Sequence, residues 1–113
     1  MISEIVAVEL LKNKDPIGLD WLCDQYAPAL YGVILKLIPD TMVAADILHK
    51  CFTLFWHQSS TYDSSQGKLF SWMIGITIAQ CNKILPLSKE AVFEKLGIIP
   101  KHLTKPLASK GLL

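Results

Sequence analysis

Apolar positions recur every three to four residues along most of this chain, and apolar–polar alternation never persists over six residues, so the pattern predicts helices and no sheet. A first helix, about residues 4–13, is capped by Ser3 and turns Ile5, Val6 and Leu10 toward a core. Asp15-Pro16 starts a second, with a capping carboxylate followed by proline at the first helical position. That helix carries Ile17, Trp21, Leu22 and Tyr26, and Pro28 either kinks it or begins a new one. Leu30, Val33, Ile34, Leu37 and Ile38 then form one face, ended by Pro39. Asp40 or Thr41 caps the most regular segment, a helix over 42–57 whose stripe Ala44, Ile47, Leu48, Cys51, Phe52 and Phe55 faces a core. Its opposite face presents Asp46, His49, Lys50, Thr53 and His57. A polar loop at 58–67 leads to a helix from Lys68 to Leu85, and Pro86 stops it. Ser88 caps a short helix over 89–96, and Gly97 suits its left-handed end.

The helix at 68–85 is apolar on more than one side. Leu69, Trp72, Met73, Ile76, Gln80 and Ile84 make the expected core stripe, and Phe70, Ile74, Ile78, Cys81 and Leu85 make a second. A second stripe needs a cover, either the tail through Val92, Phe93, Leu96 and Ile98 or a second copy of the chain; Phe70, Ile74, Ile78 and Cys81 are therefore candidate protein-interface residues.

At 113 residues, 51% hydrophobic and 19% charged, the chain suits one globular domain and is not compositionally disordered. Its net charge of +1 conceals an asymmetry: residues 1–50 hold four Lys and seven acids, giving −3, and residues 51–113 hold seven Lys and three acids, giving +4. Every basic residue is Lys, so the bidentate fork of arginine, common in phosphate and guanine contacts, is absent. Cys23, Cys51 and Cys81 have no Cys-x-x-Cys spacing and lie in apolar patterns, as buried thiols do in a reducing compartment. The first residues lack the basic and apolar regions of a signal peptide, and no apolar run approaches the ~20 residues that span a bilayer. A soluble, cytoplasmic protein with no membrane partner is expected.

Nucleophile elbows, phosphate-cradling glycine loops and His-Glu-x-x-His pairs are all missing, which argues against an enzyme and gives no cofactor. His49 and His57 share a face but stand about 12 Å apart along it at 1.5 Å per residue, too far for one metal ion, so no metal site is expected.

Three ordered segments carry a family likeness. Trp21-Leu22-Cys23-Asp24-Gln25-Tyr26-Ala27-Pro28-Ala29-Leu30-Tyr31-Gly32, after Asp15-Pro16, resembles the opening of the extracytoplasmic-function class of bacterial sigma factors. Ala44 through Trp56 resembles their polymerase-binding helix, and Tyr62 through Met73 is similar to the loop and helix start that meet the promoter. The likeness runs over roughly residues 10–85. It implies an all-α fold, a small helical bundle like sigma region 2 over residues 1–85, followed by a short C-terminal helix and tail at 86–113. It also implies a role in transcription initiation, with core RNA polymerase and the minus-ten promoter element as partners and an anti-sigma protein as another. Carried over by position, Asp46, His49 and Lys50 face polymerase, with Thr53 on the same helix face and Phe52 and Trp56 behind it. Tyr62, Lys68 and Ser71 lie nearest DNA, and Trp72 anchors its helix in the core.

The departures weaken DNA reading. Ala45 stands where the family usually has an acid, and His49-Lys50 stands for a glutamine-acid pair, so an acidic docking face has become mixed. Thr77-Ile78-Ala79 and Lys83 replace the family's Ala-Arg-Asn and a later Asp. Between residues 51 and 82 the only formal charges are Asp63 and Lys68, too few to neutralise a phosphate backbone. Promoter contact is therefore expected to be weak or lost. Region 4 is expected to be missing or truncated, with Leu87-Ser88-Lys89-Glu90, Leu96-Gly97-Ile98 and Leu103 as a helix-turn-helix remnant that Phe93 and Pro106 disfavour. Two readings follow: a sigma-like factor, or a protein-interaction module on the same fold that binds polymerase, an anti-sigma protein or itself without reading promoters.

Overall fold

The computed structural model describes residues 2–98; the end of the tail, including Leu103 and Pro106 of the suggested remnant, lies outside them. Five α-helices, α1 (Glu4–Lys12), α2 (Pro16–Leu37), α3 (Thr41–His57), α4 (Leu69–Ile84) and α5 (Lys89–Leu96), and one 3-10 turn at Ser59–Thr61 make up the regular structure, with no strand among the described residues. The protein is an all-α bundle, as the apolar periodicity requires. The capping residues act as expected: Ser3, Asp15, Asp40 and Ser88 each accept from a backbone N–H of the helix that follows, and Gly97 adopts φ 73°. No described helix is long and apolar enough to cross a membrane.

Helices α2, α3 and α4 form an antiparallel trio. Lys14, just before α2, meets Trp56 near the end of α3; Tyr31 of α2 donates to the Thr41 carbonyl at the start of α3; and Phe55 packs on Trp72 near the start of α4. Between them Leu22, Leu30, Ile34, Leu37, Ala44, Ile47, Cys51, Phe55 and Met73 are buried. Pro28 neither ends α2 nor begins another helix. It faces solvent, as does Asp24, whose carbonyl loses its intrahelical donor, and the buried leucines and Ile34 on the other face hold both halves in one helix.

Two expected faces are rotated. In α1 the buried residues are Ala7 and Leu11, while Ile5 is 74% exposed, Val6 is exposed and Leu10 is half-buried. The cause is a close helix crossing: a Cβ on Gly18 of α2 would stand 2.5 Å from the Leu11 nitrogen and 2.6 Å from the Ala7 carbonyl oxygen, so only small side chains fit between the backbones. In α4 the fully buried line is Leu69, Met73, Thr77 and Cys81, between the two expected stripes. Both stripes therefore end half-buried: Trp72, Ile76 and Gln80 on one side, and Phe70, Ile74 and Ile78 on the other; Ile84 and Leu85 are exposed. Cys81 belongs to the core and not to an interface. The second stripe begins against α2, where Phe70 lies 5.6 Å from Tyr26 between ring centroids, and α5 packs principally on α2 through a side that buries Val92. Thr77 is buried without cost in unpaired polarity, because its hydroxyl donates to the Met73 carbonyl at 2.8 Å.

Candidate interaction surface

The outer face of α3 begins with the helix itself. Ala44, Ile47, Cys51, Phe52 and Phe55 are buried against α2 and α4, which forces Asp46, His49, Lys50, Thr53 and His57 outward, and all five are exposed. Asp46 is the one carboxylate of α3 and Lys50 follows it one turn later, so the face is mixed in charge. Thr53 Oγ1 donates to the His49 carbonyl at 3.1 Å and stays with its own helix.

Beside this face runs a groove that sequence reading missed. From α2 come Pro16, Leu19 and Cys23, and from α3 come His49, Phe52, Thr53 and Trp56, around a cavity of about 400 Å³. Leu19, Phe52 and Trp56 make its walls apolar, and His49 and Thr53 supply polar atoms at its edge. Burial, then Asp20 and Asp24, push the Cys23 thiol above its ordinary pKa. Its thiolate is thus disfavoured, and nothing here activates it as a nucleophile. The sequence signal of the groove is spacing alone: Pro16, Leu19 and Cys23 fall at i, i+3, i+7 on α2, and His49, Phe52, Thr53 and Trp56 at i, i+3, i+4, i+7 on α3.

One end of the groove is fixed by Lys14. Asp15 N–H donates to the Leu10 carbonyl and Lys14 N–H to the Leu11 carbonyl, a helix-ending motif that puts Lys14 at φ 60°, where glycine is usual. The lysine side chain offsets that strained backbone. Its ammonium donates to the Trp56 carbonyl and to Ser59 Oγ and lies 5.4 Å from the Trp56 ring centroid. Ser59, buried, has its hydroxyl within reach of the Leu11 and Trp56 carbonyls, so the α1–α2 turn is tied to the end of α3.

The loop after α3 departs from expectation at its aromatic residue. Tyr62 is only 8% exposed: its ring packs 5.4 Å from Trp72, Lys12 stands 5.6 Å from its centroid, and its hydroxyl donates to the Gly67 carbonyl at 3.2 Å. Burial, followed by the carboxylates of Glu4 and Asp63, raises its pKa. An exposed platform for base stacking is therefore not present at Tyr62, which sequence reading had placed nearest DNA. Lys68 and Ser71 are exposed. Asp63 orders the loop by accepting from Ser65 Oγ at 2.8 Å and Ser65 N–H at 2.9 Å; these bonds, with a smaller effect of Lys12, hold its carboxyl below its usual pKa. A cavity of about 640 Å³ between this loop, Glu4, Tyr26 and Phe70 is lined by both charged and aromatic groups. Tyr26 donates to the Glu4 carboxylate, and its phenol is pushed up to about 12 by that bond first and burial second.

Trp72 anchors α4 as expected, half-buried between Phe55 at 5.6 Å and Tyr62. Cys51 and Cys81 are free buried thiols; burial raises both, Cys81 to about 11 with a further push from Cys51. No family model, no characterised protein and no solved structure matches this chain.

Proposed function

We propose that this chain is a sigma-like module of transcription initiation that docks on core RNA polymerase through the outer face of α3. One observation carries the reading: Asp46, His49, Lys50 and Thr53 stand exposed together on a helix whose back is buried in a three-helix core. That arrangement gives a rigid polar face beside an apolar groove, the composition of a protein-docking patch with a polar rim. An anti-sigma protein would compete for the same face. The reading carries a cytoplasmic location with it.

Promoter contact in this reading is residual, resting on Lys68 and Ser71. The enclosure of Tyr62 favours a second reading, a module that binds polymerase or another protein without promoter recognition. A pull-down with core RNA polymerase followed by run-off transcription tests both. Binding with transcription supports the sigma-like reading, binding without transcription supports the interaction module, and the absence of both polymerase binding and transcript above a protein-free control overturns the sigma-like reading and any docking on polymerase.

A further inference from the structure

We propose that the chain assembles head to tail with copies of itself, the exposed end of α4 in one copy seating in the α2–α3 groove of the next. Each half of that contact is on the molecule. The groove's walls, Leu19, Phe52 and Trp56, enclose about 400 Å³. A dry cavity of about 150 Å³ already admits a benzene-sized group, so two aliphatic side chains fit. Around it Asp20 and Asp24 on α2 and Asp46 on α3 are exposed, against Lys50 as the free cation on the α3 side, since the Lys14 ammonium is held at the Trp56 carbonyl.

The complementary half lies at the other end of the bundle. Ile84 is 51% and Leu85 40% exposed, next to the exposed Lys83, with Lys89 opening α5 shortly after. Met42, 80% exposed, begins α3 at that same end. Because the helices run antiparallel, an apolar groove rimmed by Asp20, Asp24 and Asp46 and an apolar projection flanked by Lys36, Lys83 and Lys89, against Asp40 and Glu90, sit at opposite ends of one molecule. Opposed charges favour encounter and fix orientation. Two different surfaces meeting make a heterologous contact, which extends into chains or closes into rings instead of stopping at a two-fold pair. The inference is independent of polymerase binding, since it concerns the protein alone.

Sedimentation or light scattering on the full chain tests it. The expected mass exceeds 12.6 kDa and rises with concentration through the micromolar range. Raising the salt concentration lowers it. Thr53→Trp, which fills the groove from an exposed position, and Leu85→Glu, which spoils the projection, should each return the chain to monomer with unchanged helical circular dichroism. Mixed in equal amounts they should form a pair and nothing larger, because the intact projection of the first fits the intact groove of the second. A wild-type chain that stays monomeric at high concentration overturns the proposal, and so does a mixture of the two variants that fails to pair.

Discussion

Adding one methyl group at Gly18 tests the α1–α2 crossing. An alanine Cβ there would meet the Leu11 nitrogen at 2.5 Å, the Ala7 carbonyl oxygen at 2.6 Å and Leu11 Cα at 3.0 Å. All three are backbone atoms of α1, so no side chain can swing aside, and the two helices must separate by roughly 1 Å to reach ordinary contact. Ala7 and Leu11 are the buried residues of α1, so that separation loosens the contact that anchors the helix. Overpacking of this kind costs about 1–3 kcal/mol. Alanine recovers at most about 1 kcal/mol of helix propensity relative to glycine, and less in the first turn of α2 where Gly18 sits, so a mid-range cost of about 2 kcal/mol leaves a net loss of about 1–2 kcal/mol. At roughly 4–8 °C per kcal/mol for a domain of this size, Gly18→Ala should melt about 5–15 °C below the parent. Gly32 and Gly75 supply the contrast, since a Cβ at either meets nothing within 4 Å. Both are helical, so Gly32→Ala and Gly75→Ala should gain about 0.5–1 kcal/mol. Thermal melts of the three variants at 222 nm decide the matter. If Gly18→Ala melts at or above the parent temperature, the close crossing is wrong, and with it the reason Ile5 and Val6 face outward.

Three further outcomes follow from the same structure. Lys14→Ala keeps the left-handed backbone and loses the bridge to Trp56 and Ser59, whereas Lys14→Gly loses the bridge but relieves the backbone; urea denaturation should find the glycine variant about 1 kcal/mol more stable than the alanine one. Tyr26 has its folded pKa raised to about 12, so the protonated phenol's stabilising effect is complete below about pH 10 and is lost as pH rises toward 12; the stability difference between the parent and Tyr26→Phe should shrink across that interval, and a constant difference would remove the Glu4 bond from the account. On the proposed polymerase reading, Lys50→Glu adds an acid to the exposed face of α3 and should tighten binding to core RNA polymerase about fivefold, an effect of roughly 1 kcal/mol, with weaker or unchanged binding in a surface-plasmon titration counting against that docking face.

How much of this fold was legible depends on what decided each element. Caps were, because Ser3, Asp15, Asp40, Ser88 and Gly97 act through bonds within a few residues of themselves. So was α3, whose apolar stripe and polar face divide cleanly and leave a single orientation. The rotation of α4 was not, because apolar residues nearly encircle it; periodicity cannot choose among faces of similar hydrophobicity, and Thr77 entered the core where two apolar stripes flank it. In α1 the large residues drew the expected face to Ile5 and Val6, but a crossing close enough to require Gly18 buries Ala7 instead. Pro28 reads as a break only if its helix is considered alone, without the buried side chains on either side of it. The burial of Tyr62 was not legible for the same reason: it lies in a polar loop, yet Trp72, from the next helix, and Lys12, fifty positions earlier, enclose the ring.

The enclosure of Tyr62 and the opening of the α2–α3 groove are two consequences of how α1 and its turn are held. Glu4 engages Tyr26, and Lys12 stands over Tyr62, so α1 closes the side of the bundle on which the loop after α3 lies. At the far end of α1, Lys14 is drawn to the end of α3 and sets the start of α2 beside Trp56, which leaves Pro16 and Leu19 opposite Phe52 with a groove between them. Thr53 and His49 belong both to that groove and to the outer face of α3. A copy of the chain seated in the groove and a polymerase docked on the face would therefore contend for the same two residues. By linkage, whatever one partner loses in affinity through the other's presence the other loses equally. Self-assembly would thus hold the docking face out of use at high protein concentration and release it on dilution, without any change in the fold.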